Sequence, residues 1–343
     1  MKNNTKPKKV YVAMSGGVDS SVAAALLKRS GYEVIGVFMK PWQVPNIKCL
    51  WEQDREDAMR VATVLDIPLL TWDFSKEYKK EVTDYMIREY KAGRTPNPDV
   101  MCNKHIKFGL FLRQAIIEGA DFIATGHYVR KNSDKLLAAR DKNKDQSYFL
   151  WTLTQQQLKY CLFPIGDYIK PEVRKLAKKF GLPVYDKKDS QGICFIGPLD
   201  MEEFLKNNIK PKRGPIINQD GNAIGEHDGA YYYTIGQRHG LDIGNGAGPY
   251  YVTGKDLKKN IIFVGKEENL KSNIVRVSEI NWLKKTKLPA KVEIKIRYRT
   301  GSEKAILNKD GVIKFNKPQR AITPGQSAVF YHKQELLGGG VLL

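Results

Sequence analysis

The sequence predicts an α/β fold in three parts: a doubly wound parallel sheet, a small mixed or all-β central domain, and a C-terminal β-barrel. Three features of the 343 residues predict it. Short apolar strands alternate with helical segments over the first half, which is the pattern of a parallel sheet covered by helices. Glycine and tyrosine become frequent between residues 211 and 254, where short strands joined by turns are expected. From about residue 273 the pattern is strand-like throughout.

The first half of the chain contains apolar runs of strand length, separated by stretches with helical periodicity. Ligands of a doubly wound sheet lie beyond the carboxyl ends of its strands, so Met14, Met39 and Thr125 mark the edge where a site is expected. The pattern predicts strands at residues 10–14, 34–39, 68–74 and 122–125. It predicts helices at residues 22–30, 54–65, 77–91, 103–118, 154–162 and 171–180.

Turn signals divide the second half into short strands. Asp220-Gly221, Asp310-Gly311 and Pro324-Gly325 each predict a turn. Residues 291–299 alternate strictly, so the apolar side chains at the even positions are expected on one face and basic ones, including Arg297, on the other. These patterns predict domains at residues 1–200, 201–271 and 272–343.

The chain is strongly basic, with 57 Lys and Arg against 37 Asp and Glu and a net charge of +20. Such a balance favours a polyanionic partner, most often nucleic acid, although a solvated basic surface would explain it as well. Residues 272–343 alone carry 14 Lys and Arg against 5 Asp and Glu. That concentration indicates a surface that docks on RNA, unless the lysines merely protect edge strands from aggregation.

Composition also narrows the cellular setting. No apolar run approaches the roughly 18 residues of a membrane span, and the basic start of the chain lacks the apolar core of a secretory signal. Four cysteines are too few for a disulfide scaffold, which favours the reducing cytoplasm. No apolar oligomer seam is evident, so a monomer without membrane contact is expected.

The first predicted strand leads into Ser15-Gly-Gly-Val-Asp-Ser-Ser21, here called the glycine loop, and then into a helix. Gly16 and Gly17 allow positive φ and a close approach of backbone N–H groups to an anion. The helix N-terminus adds unpaired N–H groups and a positive dipole end, which together favour phosphate. Asp19 would repel phosphate unless a Mg²⁺ ion bridged the two. The loop lacks the Gly-Lys-Ser/Thr of a Walker motif, and an ordinary glycine-rich turn would look the same.

A second dense segment, residues 94–108, contains a carboxylate and a thiol. Asn97 is a suitable N-cap and Pro98 suits the first helical position, so Asp99 and Cys102 would share one face of the first turn. A helix N-terminus lowers the pKa of a thiol, and Asp99 could move a proton at the same site. Equally, Asp99 could be a carboxylate that the helix dipole favours, and Cys102 a small buried apolar side chain.

The remaining cysteines differ in context. Cys194 lies in a loop segment bracketed by Gly192 and Gly197. Cys161 lies in an apolar run and is expected in the core, whereas the role of Cys49 stays open, as does that of residues 41–51 around it. There is no Cys-x-x-Cys pair, and Cys102 and Cys194 are too far apart for a local metal motif, so no metal site formed by the protein alone is expected.

Together these segments resemble a known family. The glycine loop resembles the pyrophosphatase loop of the N-type ATP pyrophosphatases, which use ATP to adenylate a substrate oxygen. Combined with Arg94-Thr-Pro-Asn-Pro-Asp-Val-Met-Cys102 and Gly192-Ile-Cys-Phe-Ile-Gly197, it is similar to the tRNA-specific 2-thiouridylases, and the similarity extends nearly end to end. The resemblance implies a nucleotide-binding first domain and an enzyme that converts the wobble uridine of tRNAs of the Lys, Glu and Gln type to 2-thiouridine.

The resemblance also implies residue roles. Asp99 would be the acid/base, Cys102 a catalytic thiol, and Cys194 the carrier of a persulfide sulfur. The target base would contact Asn97, Pro98 and Asp99. ATP would bind Ala13, Met14, Ser15, Gly16, Gly17, Val18, Asp19, Ser20, Met39 and Gly126, with Mg²⁺ near Asp19. The tRNA would contact His127, Lys144, Asp145, Gln146, Arg297, Tyr298 and Gln326.

The implied chemistry needs ATP, Mg²⁺, tRNA and a partner that delivers sulfur, either a persulfide-carrying protein or a cysteine desulfurase. Adenylation would make the C2 oxygen of uridine a leaving group, sulfur from Cys194 would displace AMP, and Cys102 would release the sulfur by forming a disulfide with Cys194. Two other interpretations stay open. Another adenylating enzyme with the same loop would need neither cysteine, and a non-catalytic RNA-binding protein would release no pyrophosphate from ATP.

Overall fold

A parallel sheet forms the first part of the protein, as the sequence predicts. The computed structural model describes residues 6–43, 51–189, 201–244 and 248–343. The strands up to residue 162 are β1 (Lys9–Ala13), β2 (Glu33–Lys40), β3 (Leu69–Asp73), β4 (Phe122–Ala124), β5 (Val129–Asn132), β6 (Lys135–Ala138) and β7 (Cys161–Leu162). The sheet has the order β3-β2-β1-β4-β7, and each neighbouring pair in it is parallel.

Helices connect these strands, and two of the helical runs contain π-helix. The helices are α1 (Val18–Arg29), α2 (Trp51–Leu65), α3 (Ser75–Tyr78), α4 (Asp84–Lys91), α5 (Pro98–Met101), α6 (Leu112–Ile117), α7 (Gln155–Lys159), α8 (Lys170–Lys179) and α9 (Met201–Asn208). Lys79–Thr83 joins α3 to α4, and Cys102–Phe111 joins α5 to α6, both as π-helix. Single 3₁₀ turns occur at Ser147–Leu150, Ala230–Tyr232 and Glu267–Leu270.

The six predicted helices all differ from the structure at one or both ends, and two of these differences have a clear cause. The helical run predicted to begin at residue 103 begins at Pro98, because Asn97 caps it. The helix predicted over residues 154–162 ends at Lys159, because Cys161 and Leu162 pair with β4 as strand β7. A short apolar run has the same composition in a strand as in a helix, so its neighbours in space decide between them.

The strand order creates a crevice between β1 and β4. The chain passes from β1 to β2 and β3 on one side, and later places β4 on the other side of β1. Loops that leave the carboxyl ends of β1 and β4 therefore run in opposite directions, which opens the usual ligand site of a doubly wound sheet. The glycine loop follows β1, and Thr125 and Gly126 follow β4.

The central part is a small mixed sheet. Its strands are β8 (Gly214–Ile217), β9 (Ala223–His227), β10 (Tyr251–Asp256) and β11 (Ile261–Gly265), in the order β10-β11-β8-β9. The predicted turn at Asp220-Gly221 is confirmed: it joins β8 to β9, with Gly221 at φ +83. Ile216, Val252 and Ile262 are fully buried in the core of this sheet.

The C-terminal part is a closed antiparallel barrel, which confirms the prediction. Its strands are β12 (Lys271–Trp282), β13 (Ala290–Lys295), β14 (Glu303–Leu307), β15 (Val312–Arg320), β16 (Ser327–His332) and β17 (Glu335–Leu342). They follow the order β12-β15-β14-β13-β16-β17, and pairing of β12 with β17 closes the barrel. The strand predicted over residues 291–299 ends at Lys295, so Arg297 and Tyr298 follow the strand and do not lie on it.

The barrel and the parallel-sheet domain are joined by a hairpin that the sequence analysis did not predict. Strands β5 and β6 form this hairpin, and β6 pairs with β17 at Glu335 and Leu137. Val129 and Leu136 of the hairpin share one apolar core with Tyr331 and Leu336 of the barrel. None of the helices in the described ranges combines the length and the apolar character that crossing a membrane requires.

Candidate active site

The glycine loop joins β1 to α1 at the crevice. Gly16 has φ +72, and a Cβ at this position would lie 2.1 Å from the carbonyl oxygen of Asp54, so no larger residue fits. Gly17 is the N-cap of the 12-residue helix α1. The Ser20 hydroxyl accepts the Ser15 N–H at 3.2 Å and closes the loop. The loop therefore presents the N–H groups of a helix N-terminus to the crevice, an arrangement suited to the phosphates of ATP.

Gly126 lies on the opposite side of the crevice, in contact with the same helix. A Cβ on Gly126 would lie 2.6 Å from the backbone nitrogen of Ser20. Met14 and Met39, at the carboxyl ends of β1 and β2, are both buried. The fold thus gathers the residues expected to bind ATP along one edge of the sheet, and their contacts with the nucleotide remain a prediction.

The ammonium group of Lys170 connects the glycine loop with Asp189, the last residue that the structure describes before Cys194. Lys170 Nζ donates to the two carboxylate oxygens of Asp19 at 2.8 and 2.9 Å, and it lies 2.8 Å from Asp189 Oδ1. The Tyr128 hydroxyl donates to Asp19 at 2.8 Å. Burial, and then the charge of Asp19, raises the pKa of this phenol, which keeps it a donor. Lys170 is only 9% exposed, whereas the side chains of Asp19 and Asp189 are 32% and 34% exposed.

The same contacts bear on Mg²⁺. Both Asp19 oxygens accept hydrogen bonds from Lys170, so a Mg²⁺ ion at this carboxylate would share it with the ammonium group or replace that group. Within the described ranges, no group of three or more His, Cys, Asp or Glu side chains could hold a metal ion. A Mg²⁺ ion held near Asp19 together with the phosphates of ATP is a different kind of site, and it remains a prediction.

Asp189 is held by further cations. Lys144 Nζ donates to it at 2.6 Å and Arg174 Nη2 at 3.0 Å. Burial alone would raise the pKa of Asp189, but hydrogen bonds from Lys144 and Lys170 outweigh it and lower the pKa to about 2. Asp189 lies five positions before Cys194 in the sequence. Cys194 itself lies outside the described residues, as does Cys49.

The predicted capping of the second segment is confirmed. Asn97 Oδ1 accepts the Val100 N–H at 3.3 Å, and Pro98 occupies the first turn of α5. Asp99 lies in this turn and is partly exposed, whereas Cys102 is fully buried where the π-helix begins. A buried thiol that follows a partly exposed carboxylate by three residues on one continuous helical run suits chemistry that must be kept from water.

Cys161 belongs to the core, as the sequence predicts. Its side chain is 1% exposed, and its thiol donates to the carbonyl oxygen of Gln157. Burial raises the pKa of this thiol to about 12. Cys161 is therefore protonated and unreactive at neutral pH, since the thiolate is the nucleophilic form.

His127, expected to contact tRNA, is buried in the structure. Its Nδ1 lies 2.8 Å from the Thr125 hydroxyl, and its ring packs against Phe108. Burial, and then the charge of Lys107, lowers the pKa of His127 well below its ordinary value, so the ring is neutral at pH 7. A contact between His127 and tRNA remains a prediction, and it would require this pocket to open.

Residues 144–146, also expected on tRNA, make contacts within the protein. Asp145 is 7% exposed and accepts hydrogen bonds from the backbone of Ala139, from both donors of Ser147 and from Lys295 on the barrel. Gln146 Oε1 accepts the Tyr128 N–H at 2.9 Å. These hydrogen bonds connect Tyr128, beside the glycine loop, with Lys295 on the barrel. A contact of this segment with tRNA remains a prediction.

Of the three barrel residues expected on tRNA, Gln326 contacts the second segment, whereas Arg297 and Tyr298 contact other parts of the chain. Arg297 donates to the carbonyl oxygen of Ala321 at 2.6 Å, and burial, followed by the charge of Arg320, lowers the pKa of Arg297. Tyr298 packs on Phe149 with ring centroids 4.4 Å apart. Gln326 donates to the backbone carbonyls of Thr95 and Pro96.

Sequence reasoning assigned no role to Lys170, Tyr128 or Asp189, although they form the cluster that holds Asp19. One signal was available for Lys170. It occupies the first position of α8, where a positive charge opposes the helix dipole and therefore calls for a carboxylate partner. Tyr128 and Asp189 carry no comparable signal, because only the fold brings them to the glycine loop.

Three family models match successive parts of the chain. They are described as a tRNA methyl transferase HUP domain over residues 8–198, a tRNA methyl transferase PRC-barrel domain over 202–266 and an aminomethyltransferase β-barrel domain over 272–342. The first of them covers more than half of the chain and includes the parallel sheet and the glycine loop.

Curated proteins match over the full length. A protein named tRNA-specific 2-thiouridylase MnmA from Listeria monocytogenes is 48% identical over 100% of this chain and 96% of its own length. The tRNA-specific 2-thiouridylase MnmA 2 of Geobacillus kaustophilus is 47% identical, covering 97% of this chain and 94% of its own. Although two family models are described as methyl transferase, these end-to-end relatives are named for thiolation. With this identity over its whole length, the chain belongs to the tRNA-specific 2-thiouridylase family.

Proposed function

We propose that this protein uses ATP to convert the wobble uridine of tRNAs of the Lys, Glu and Gln type to 2-thiouridine. Membership of the family and the HUP-domain match support thiolation of tRNA and the use of ATP. The observation that carries the proposal is the meeting of three features at one crevice. The glycine loop leads into α1, whose N-terminus faces the crevice. Lys170 bonds to Asp19 of this loop and to Asp189, which precedes the Cys194 segment. The contacts of residues 144–146 connect the same region to the barrel.

In the first step, the C2 oxygen of uridine attacks the α-phosphorus of ATP, and pyrophosphate leaves. The helix N-terminus behind Gly17 stabilises the phosphates with its N–H groups and dipole. Mg²⁺ bound with ATP would offset the remaining phosphate charge. Asp99 is the group proposed to accept the proton that the base gives up as its C2 oxygen becomes nucleophilic.

In the second step, the terminal sulfur of a persulfide on Cys194 attacks C2, and AMP leaves. The product of this attack is a disulfide that links Cys194 to the base. The Cys102 thiolate then attacks the Cys194 sulfur, which leaves the transferred sulfur on C2 and forms a Cys102–Cys194 disulfide. A cellular dithiol reduces this disulfide, and a persulfide-carrying protein or cysteine desulfurase reloads Cys194.

Burial of Cys102 supports a sequestered reaction. An adenylated uridine would be hydrolysed by water, so the thiol that completes the reaction must be kept from solvent. Formation of a disulfide requires Cα atoms within roughly 7 Å, so the Cys194 segment must reach the buried Cys102 during the cycle. The basic barrel is proposed to position the tRNA backbone, and the reducing cytoplasm supplies the dithiol.

The test is a reconstituted reaction with tRNA, ATP, Mg²⁺ and a persulfide donor, in which 2-thiouridine is detected by retardation in a mercury gel. Cys194→Ser should abolish thiolation and leave tRNA-dependent pyrophosphate release largely intact, because adenylation precedes sulfur transfer. Cys161→Ala is the matched control and should keep thiolating, because Cys161 is a core residue with an unreactive thiol.

Undiminished thiolation by Cys194→Ser would exclude the persulfide step. Absence of tRNA-dependent pyrophosphate release from the unmodified protein would exclude adenylation altogether, and would favour a protein that only binds RNA.

A further inference from the structure

Helix α5 and its π-helical continuation carry Asp99 and Cys102 and are here called the catalytic helix. The segment that leads into this helix is held by parts of the chain far away in the sequence. Residues 94–97 have no regular secondary structure. The Thr95 N–H donates to the Pro324 carbonyl at 2.8 Å, and its carbonyl accepts Gln326 Nε2 at 2.9 Å. The same amide nitrogen lies 3.1 Å from the Pro96 carbonyl oxygen. Thr95 also shares a side-chain hydrogen bond of 3.1 Å with Thr234 of the central part.

Close packing at Gly325 shows that this contact is tight. Gly325 has φ +91, and a Cβ there would lie 2.9 Å from Thr95 O and 3.0 Å from Thr95 N. The turn is itself fixed to the barrel, because Gly325 N–H donates to Leu342 O and Leu342 N–H donates to Gln326 O. Residues 324–326 therefore transmit the position of the barrel to Thr95.

The position of Thr95 in turn determines where the catalytic helix begins. Pro96 and Pro98 each have a fixed φ, so the backbone between Thr95 and α5 has little freedom to absorb a displacement. Asn97 caps α5 through Val100 N–H, and Asp99 and Cys102 follow on this helix and its π-helical continuation. On the other side, Arg94 pairs with Glu89 at the end of α4, which holds the start of the segment.

We infer that Gln326 is a positioning residue for the catalytic helix: its side-chain amide holds the Thr95 and Pro96 carbonyls, and so lets the barrel set the place of Asp99 and Cys102. The resemblance to the family implied instead that Gln326 contacts tRNA. The inference rests on the proposed function for its consequence in catalysis, and on the hydrogen bonds of Gln326 for its mechanism. A barrel that both docks tRNA and holds this segment would couple docking to the geometry of the reacting groups.

Gln326→Met tests the inference, because methionine keeps the volume and removes both hydrogen bonds. In the tRNA-free, full-length protein, hydrogen exchange of peptides covering residues 94–101 should become about tenfold faster. In the thiolation assay, kcat should fall about tenfold or more, because small misplacements of reacting groups cost large factors, while the tRNA dissociation constant stays within about twofold.

Compared with Gln326→Met, the Gln326→Lys variant should recover much of the slow hydrogen exchange and much of kcat, since an ammonium group can donate to the same two carbonyls. The matched control is Gln319→Ala, a barrel glutamine whose amide donates to the nearby Lys317 carbonyl, and it should leave exchange and kcat unchanged. Should Gln326→Met not fold, Gln326→Ala takes its place.

Exchange at residues 94–101 equal to that of the unmodified protein would overturn the inference. So would an unchanged kcat with a raised KM for tRNA, which is the result expected of a direct tRNA contact. If the unmodified protein forms no 2-thiouridine, the proposed function fails, and the exchange measurement alone still decides whether Gln326 holds the segment.

Discussion

Lys170 shows how much one side chain can organise. It begins α8, where the helix N-terminus disfavours a cation, and its own backbone N–H donates to Asp141 at 2.9 Å. Its ammonium group faces Asp19 and Asp189, and these two carboxylates offset the unfavourable position. Without Lys170, Asp189 would keep the cations of Lys144 and Arg174. Asp19 would keep only the hydrogen bond from the Tyr128 hydroxyl among the contacts described above, so loss of Lys170 affects Asp19 most.

Lys170→Met should lower the free energy of unfolding by about 1–2 kcal/mol, because it leaves the partly exposed Asp19 carboxylate without its cation. It should also slow pyrophosphate release, since Asp19 would then present an uncompensated negative charge to ATP. Urea unfolding at pH 7 and the pyrophosphate assay measure the two effects. Lys175→Met, an exposed lysine on the same helix, is the control. Equal stability of the two variants would show that the ammonium group stabilises nothing.

At the scale of elements, the helical run 98–117 departs from a regular α-helix where the chemistry is expected. Cys102–Phe111 winds as π-helix, a rare form that is frequent at functional sites. Gly109 accommodates it, because a Cβ there would lie 2.9 Å from the Lys104 carbonyl oxygen five residues earlier. The hydrophobic pattern of the segment predicts a helix but does not distinguish the two windings, since the periods differ too little over so short a run.

The contact between the end of β4 and the first turn of α1 gives a second prediction at this scale. Gly126→Ala should push α1 away from β4, because its Cβ would lie 2.6 Å from Ser20 N and 2.8 Å from the Asp19 carbonyl carbon. Overpacking of this size lowers stability by about 1–3 kcal/mol, and the displaced N-terminus of α1 should bind ATP about tenfold more weakly or worse. Calorimetric titration with ATP measures the dissociation constant. The control is Gly301→Ala, because a Cβ at Gly301 would have open space around it. Unchanged ATP affinity would argue against a nucleotide at the glycine loop.

At the scale of the whole molecule, buried histidines link stability to pH. Burial lowers the pKa of His105, His127 and His227, aided by Lys104 at His105 and by Lys107 at His127. Near pH 6 the unfolded chain binds protons at these positions that the folded chain does not. Stability is therefore fully present above the ordinary histidine pKa of about 6.5 and is lost as the pH falls from there toward the folded values.

The free energy of unfolding should accordingly decrease between pH 7.5 and 5.5, by roughly 1 kcal/mol per pH unit for each histidine that is protonated only on unfolding. His127→Asn should make this dependence shallower, because the pKa of His127 is lowered furthest of the three. Denaturant unfolding over this pH range measures it, and His239→Asn, an exposed position, should leave the slope as it is. A slope unaltered by His127→Asn would mean that His127 titrates alike in both states.

Most of the fold was predictable because local patterns specify it. Alternating strands and helices, the turns at Asp220-Gly221 and Asp310-Gly311, and the cap at Asn97 depend on neighbours within a few residues. The β5–β6 hairpin was missed because its role is to pair with β17, some 200 residues later. The end of the helix at Lys159 was likewise decided by a partner outside the helix, because Cys161 and Leu162 pair with β4.

The sequence by itself determined the class of fold, the glycine loop, the two cysteine segments and the family. These are properties of residue type and spacing, which the chain carries whether folded or not. Tertiary structure decided which charges compensate one another, since Lys170, Asp19 and Asp189 lie up to 170 positions apart and meet only in the fold. It also decided that Asp145, Gln146 and Gln326 bond within the protein, because a polar side chain that becomes buried must find its partner among whichever groups the packing brings near it.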